Sequence, residues 1–160
     1  MIQAITETDF NIRIQTEDNR IDTSVASTQI RHLVKFINDM DGSVQYAYGS
    51  AETIYNRYTK LTFLYNATAN IYEGKTKLIP SGYYKYEVYE VVWTGTVTVS
   101  SGNAPATETD ILTPPATDKG IVQGLVAIGK MNVSEKSGTE QVQYTQRQEP
   151  SGTNYIWYGQ

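Results

Sequence analysis

Cysteine is absent from the 160-residue chain, which removes disulfides, thiolate metal sites and a cysteine nucleophile. Histidine is nearly absent: His32 stands alone, so a histidine metal centre or a histidine-centred relay has little to draw on. No run of about 18 apolar residues offers a membrane-spanning helix. The opening Met1-Ile2-Gln3-Ala4-Ile5-Thr6-Glu7 turns polar before the apolar stretch of a signal peptide develops. Glycine-rich phosphate loops are missing. The 13 basic residues are outnumbered by 17 acidic ones and are scattered, giving a net charge of −4. A general binder of phosphate backbones gathers lysine and arginine on one face, so no direct nucleic-acid partner is expected, and no membrane partner either. The expectation is a protein made in a reducing cytosol and needing no cofactor.

What the chain does have is tyrosine, 13 residues against 3 phenylalanines and 2 tryptophans. Tyrosine buries a ring while keeping a hydroxyl for water or a partner, which suits broad β-surfaces and interfaces better than a deep aliphatic core. Period-two alternation dominates. Residues 9–15 alternate as a half-buried strand. Residues 30–37 and 44–48 flank the turn-forming Asn38-Asp39-Met40-Asp41-Gly42 and read as a β-hairpin. Residues 55–65 and 71–79 read as two more strands. The best candidate for helix is a turn or two over residues 50–55.

Residues 80–93 form the most informative stretch. The turn Pro80-Ser81-Gly82 precedes aromatic and branched residues interleaved with charges, so two faces separate: Tyr84, Tyr86 and Val88 on one, Tyr83, Lys85, Glu87 and Tyr89 on the other. Residues 94–119 then change to Thr, Ser, Gly, Pro and Ala. That length exceeds an ordinary strand connection and reads as an exposed functional loop or a mobile β-ribbon. Residues 120–133 read as a last strand, apolar on both faces, with Gly124 and Gly129 marking a bulge or a close backbone approach. One domain, residues 1–134, is therefore expected, followed by an extended C-terminal arm over residues 135–160.

Few residues invite a chemical reading. His32 shares the parity of Ile30, Val34 and Phe36, with no serine nucleophile or orienting acid in its pattern, so a hydrogen-bonded, partly buried histidine is favoured over a general base. Asp39-x-Asp41-Gly42 has the opening of a calcium loop without the downstream glutamate in frame, and a plain hairpin turn explains it better. Asn66-Ala67-Thr68 and Asn132-Val133-Ser134 match the glycosylation sequon, a frequent chance match. No catalytic, cofactor or metal residue is assigned, and a small hydrolase is disfavoured. The arm is different. Tyr144, Tyr155, Ile156, Trp157 and Tyr158 crowd the last residues, and large rings at a terminus are an association liability unless they fill a groove. These five are the expected partner-binding residues, acting by strand addition or aromatic insertion.

Gly82-x-Tyr84-x-Tyr86 resembles the F-strand signature of immunoglobulin-like sandwiches, in which a tyrosine turns its hydroxyl back to an upstream backbone group. Pro80 stands where those domains usually carry Asp, and Tyr86 where they carry Cys. Residues 10–131 also resemble small Ig-like virion proteins of tailed bacteriophages, through Phe36-Ile37-Asn38-Asp39, Tyr55-Asn56-Arg57-Tyr58-Thr59 and Tyr72-x-Gly74-x-x-x-Leu78-x-Pro80-x-Gly82-Tyr83-Tyr84. This resemblance implies an all-β, Ig-like antiparallel β-sandwich with a structural role and no enzymatic chemistry. It would decorate the capsid or build the neck, tail or baseplate. It would be made in the host cytoplasm, localise to the virion and assemble in many copies with capsid, neck or tail subunits. A carbohydrate-binding or adhesion module that stacks exposed Tyr and Trp on sugars is the alternative. Since neither disulfide nor metal is expected to hold the fold, reductant and chelator should leave thermal unfolding, followed by circular dichroism, unchanged. A fall of several degrees with chelator would restore Asp39 and Asp41 as cation ligands.

Overall fold

The computed structural model describes residues 1–136, and among these the protein is all-β, with nine strands, three short 3₁₀ turns and no α-helix. In chain order the strands are β1 (Ile2–Ile5), β2 (Phe10–Ile14), β3 (Ile30–Asn38), β4 (Val44–Tyr48), β5 (Ala51–Ile54), β6 (Thr59–Tyr65), β7 (Lys75–Thr76), β8 (Gly82–Val92) and β9 (Ile121–Ser134). They form two layers. A five-stranded sheet has the order β1-β9-β8-β3-β4, and a smaller sheet has the order β2-β6-β5 with β7 added beside β6. The sheets are mixed rather than purely antiparallel, because β1 runs parallel to β9 and β7 parallel to β6.

The alternation visible in the sequence decides which side chains enter the space between the layers. From β8, Tyr84 and Val88 face inward with Tyr86 between them, opposite Asn38, Val34 and Phe36 of β3. Phe10 and Phe63 are cross-strand partners in the smaller sheet and stack at 5.2 Å. Phe36 enters from the larger sheet and meets them edge-on, at 6.1 and 5.3 Å. The 3 phenylalanines of the chain thus converge on one point of the core. Ile12, Leu61, Val34, Val88, Met131 and Val133 complete the packing around them.

At one end of the sandwich, the carbonyl of Pro80 accepts two side-chain donors. The Tyr84 hydroxyl donates to it at 2.6 Å and Asn38 Nδ2 at 3.4 Å. Asn38 also organises the β3–β4 turn, its Oδ1 accepting from Met40 N and its carbonyl from Gly42 N. The backbone return of the β8 tyrosine, expected from Gly82-x-Tyr84-x-Tyr86, is therefore present.

Four sequence readings are corrected. Residues 50–55 form β5 and not helical turns: Ser50 N bonds Thr62 O at 2.8 Å, and the tight Tyr55–Tyr58 turn returns the chain into β6. Residues 71–79 are not one strand, because Asn70 Oδ1 caps a 3₁₀ turn (Ile71–Glu73) by accepting from Tyr72 N and Gly74 adopts φ 68°, leaving only the two residues of β7. Ile2–Ile5, passed over as a polar opening, pairs with Met131–Ser134. The purely antiparallel sandwich gives way to mixed sheets through β1 and β7, while β9 is the last strand as read and carries apolar residues on both faces, with Ile121, Leu125 and Ile128 exposed. Its glycines do mark special points. Gly124 has φ 152° beside two register shifts of the β8–β9 ladder, and a Cβ on Gly129 would lie 2.4 Å from the Tyr86 hydroxyl.

Tyr84→Phe keeps the ring and removes the corner bond. Its unfolding free energy from denaturant titration should fall by about 1–3 kcal/mol, the cost of losing a buried hydrogen bond. An unchanged midpoint would show that the hydroxyl adds nothing to the corner.

Candidate functional site

An antiparallel sheet in a sandwich ordinarily leaves its outer face to water. Here part of the outer face of the larger sheet is covered. Leu33, Tyr48, Val91 and Trp93 are buried there together with Ala104, and Val97, Val99, Tyr46, Tyr89 and Val122 pack around them. Ala104, Val97 and Val99 belong to residues 94–119, the stretch read from sequence as an exposed loop or a mobile ribbon. Among these residues no strand forms, and the segment lies across β3, β4 and β8 as a covering layer. Its own bonds fold it back, with Gly95 N on Thr117 O and Gly120 N on Asn103 O, both at 2.8 Å. Asp110 accepts from Ala106 N, Thr107 N and Thr107 Oγ1, which closes a compact turn.

Three polar contacts fix this layer to the sheet. The buried Tyr48 hydroxyl donates to Pro105 O at 2.8 Å. Glu108 accepts from Lys35 Nζ at 2.6 Å and from the Tyr46 hydroxyl. Lys35 also lies 3.8 Å from Glu87, which accepts from Tyr89 OH and pairs with Lys85. The hydrogen bond to Glu108 holds Lys35 well above the usual lysine value, against the opposing effect of burial. Burial pushes Glu108 upward, but the bonds from Lys35 and Tyr46 outweigh it and leave the carboxyl below its ordinary value. Burial raises Tyr46, Tyr48 and Tyr89, with a neighbouring carboxylate adding to the shift in each. Glu87 thus stands beside the Lys35–Glu108 pair and links it to Lys85 and Tyr89 of β8.

Between this layer and the start of β9 lies an apolar pocket of about 400 Å³. Ile111, Leu112, Pro115, Ile121 and Val122 line it, with Asp110 and Lys119 at its polar margin. It falls within the size range of sites that take a large side chain or small ligand. Ile111 is 86 % exposed and Ile121 53 %, so this apolar surface is open to a visitor. Along the adjoining edge of β9, β1 pairs only with Met131–Ser134. From Ile121 to Lys130 that edge has no strand partner among the described residues, and one carbonyl, Val126 O, accepts from Asn19 Nδ2 at 3.0 Å.

The other residues singled out from sequence are explained by local bonding. His32 is buried, and it does have an orienting acid: Nδ1–H donates at 2.7 Å to Glu52 Oε1, while His32 N donates to Glu52 Oε2. Glu52 comes from β5, so this pair joins the two layers; its long sequence separation hid it. The neighbouring buried Glu90 accepts from Ile21 N and Asp22 N at 3.0 and 2.8 Å, tying down the β2–β3 connection. Asp39 pairs with Lys130 and Asp41 accepts from Ser43 N, so the two carboxylates serve separate contacts. Asn66 Oδ1 accepts from Thr68 N as a turn residue. Tyr55 and Tyr58 lie with ring centroids 4.8 Å apart, tilted by 32°, beside a shallow depression at the β5–β6 turn. Tyr144, Tyr155, Ile156, Trp157 and Tyr158 lie outside the described residues, as does the rest of the arm beyond residue 136. No family model, curated protein or solved structure matches the chain.

The sign of the Glu108 shift gives a pH test. A carboxyl held below its ordinary value stabilises above that value, 4.5, and loses its contribution as pH falls through the lower folded value. Lys35, held high, keeps its contribution throughout that range and loses it only above the usual lysine value. In a Trp157→Phe background, Trp93 emission should therefore shift to the red on acidification below about 4.5 as the covering layer loosens. Glu108→Gln should abolish that acid step. An acid transition of equal size in both proteins would assign it to other groups.

Proposed function

We propose that this chain is a non-enzymatic structural component of a bacteriophage virion, an Ig-like sandwich that assembles through sheet edges and its aromatic C-terminal arm. The observation that carries the reading is the placement of the motifs that resemble Ig-like virion proteins. Phe36 is the edge-on member of the phenylalanine cluster, and Asn38 and Tyr84 meet at the Pro80 carbonyl. Tyr55-Asn56-Arg57-Tyr58 is the tight turn between β5 and β6. Each resembling residue thus has a job in folding or in turning the chain.

The strand order supports the Ig-like part. With β2, β6 and β5 as strands B, E and D, and β9, β8, β3 and β4 as G, F, C and C′, the order corresponds to the variable-type arrangement, with β1 as a parallel partner of G. The inter-sheet disulfide of antibody domains has no counterpart; the phenylalanine cluster joins the layers instead. A second reading, an adhesion module for glycans, draws on the adjacent, mutually tilted rings of Tyr55 and Tyr58 with Asn56 and Arg57 beside them, a ring-plus-polar pattern suited to a sugar face.

Mass spectrometry of purified virions tests the first reading and glycan-array binding the second. Deleting residues 138–160 should leave a cooperatively folding protein that virions no longer contain. Virions from the producing host that lack the full-length protein would overturn the proposal, and so would undiminished incorporation of the truncated one.

A further inference from the structure

The described chain leaves β9 at its Ser134 end, and the apolar pocket adjoins its Ile121 end. β9 holds 14 residues, so its ends are roughly 43 Å apart at about 3.3 Å per residue. The pocket adjoins Ile121 at its start. The chain leaves from the other end: Thr6 N donates to Ser134 O, and Lys136 N donates to Thr6 Oγ1 at 3.0 Å, so the backbone is still travelling past β1 and away from the pocket at residue 136. A hairpin return along its own edge meets an obstacle at once, because β1 already pairs with Met131–Ser134.

The exposed side of β9 is suited to receive a strand. Unpaired edges are templates for strand addition, and folded proteins commonly protect them with lysines, prolines or short length. This one runs from Ile121 to Lys130, interrupted at Val126 O, from which an incoming strand would displace Asn19 Nδ2, and it carries the exposed apolar residues Ile121, Leu125 and Ile128. The other open edges are poorer templates: β1 and β5 have four residues each and β2 has five, and β4 is flanked by the 3₁₀ turn that stacks Tyr72 on Tyr48. The tail supplies a complement in sequence and length. Residues 141–149 match a ten-residue edge, the Pro150-Ser151-Gly152 break falls where the edge runs out, and Tyr155, Trp157 and Tyr158 come next.

We infer that the protein associates head to tail: residues 141–149 of one copy pair antiparallel with the open edge of β9 in the next, and the Tyr155–Trp157–Tyr158 rings enter the pocket lined by Ile111, Leu112 and Ile121. This rests on the reading of the arm as an assembly element and adds its receptor, a second copy of the same chain. Such a contact uses two different surfaces on each copy. Repeated, it gives a ring if the rotation closes and a filament if it does not. Aromatic anchors in a pocket supply a disproportionate share of the binding energy, and the edge provides backbone bonds and direction.

The test uses the full-length chain. Ile121→Lys/Leu125→Lys places charge on two side chains that are 53 and 47 % exposed, so the core is not disturbed. Tyr155→Ala/Trp157→Ala removes the anchors. In sedimentation velocity the unaltered protein should grow in mass with concentration, while each double variant should remain at 17.9 kDa with association weakened at least about tenfold. An equimolar mixture of the two variants should form a capped dimer, since one retains its tail and the other its edge. A monomeric unaltered protein at all concentrations, undiminished association of either variant, or no heterodimer in the mixture would each overturn the contact. Concentration-independent protection from hydrogen exchange of those 121–130 amides that do not bond β8 would assign the edge to the chain's own tail and also overturn it. Virion incorporation separates this inference from the reading it rests on. If the edge variant enters virions and the tail variant does not, the structural role stands and the tail's receptor is another protein.

Discussion

The meeting of Phe36 with the stacked pair Phe10 and Phe63 is the contact on which the two-layer structure depends. Two sheets attract through buried area alone at no particular register, and a single closely packed aromatic cluster fixes their relative position. Each aromatic pair contributes about 0.5–1.5 kcal/mol beyond the area it buries, and removing such a ring from a core costs about 3–5 kcal/mol. Without cysteine, no covalent bond does this work. The His32–Glu52 bond between β3 and β5 adds a directional constraint nearby, since a buried ring nitrogen must find its partner or lose the free energy of its hydration.

With the layers fixed, the outer face of the larger sheet becomes a second site for burial. A chain of this size has limited apolar surface, and here Trp93, Tyr48 and Leu33 lie outside the sandwich proper, beneath residues 94–119. The irregular backbone of that segment is held by its own turns and by Pro105 O and Glu108 as acceptors. The tyrosines explain how an irregular layer can sit on a flat sheet. Their rings fill the interval and their hydroxyls reach carbonyls and carboxylates that would otherwise be buried without partners. One donor in this region, Trp93 Nε1–H, is buried without a hydrogen-bond partner among the described residues.

The sequence displayed what is local. Period-two alternation located β2, β3, β4, β6 and β8 and sorted the faces of β8, because each signal lies within one strand and its turn. The Tyr84 corner was legible for the same reason: donor and acceptor are four residues apart. What depends on distant partners was not legible. β1 is only four residues long and acquires its identity from Met131–Ser134. Glu52 becomes the partner of His32, and Glu108 that of Lys35, only after the layers and the covering segment come together. The 94–119 stretch forms no strand, and its Thr/Pro/Gly composition conceals a few anchors, Val97, Val99 and Ala104, that help to hold it.

The covering layer also sets a polarity. One end of the sandwich is closed by short bonds among Pro80, Tyr84 and Asn38, and the chain passes this end as it leaves β9. At the other end the layer meets β9 without filling the space between them, and the resulting pocket lies beside an edge that β1 is too short to cover. β1 runs parallel to β9, with Ile2 opposite Met131 and Ile5 opposite Ser134, so the turn at Glu7 and Thr8 that carries the chain into β2 lies at the Ser134 end. The connection that places Phe10 on Phe63 therefore closes the end of β9 that is remote from the pocket. Formation of the core and closure of that one end are two results of one chain path, and the edge toward Ile121 lies outside it.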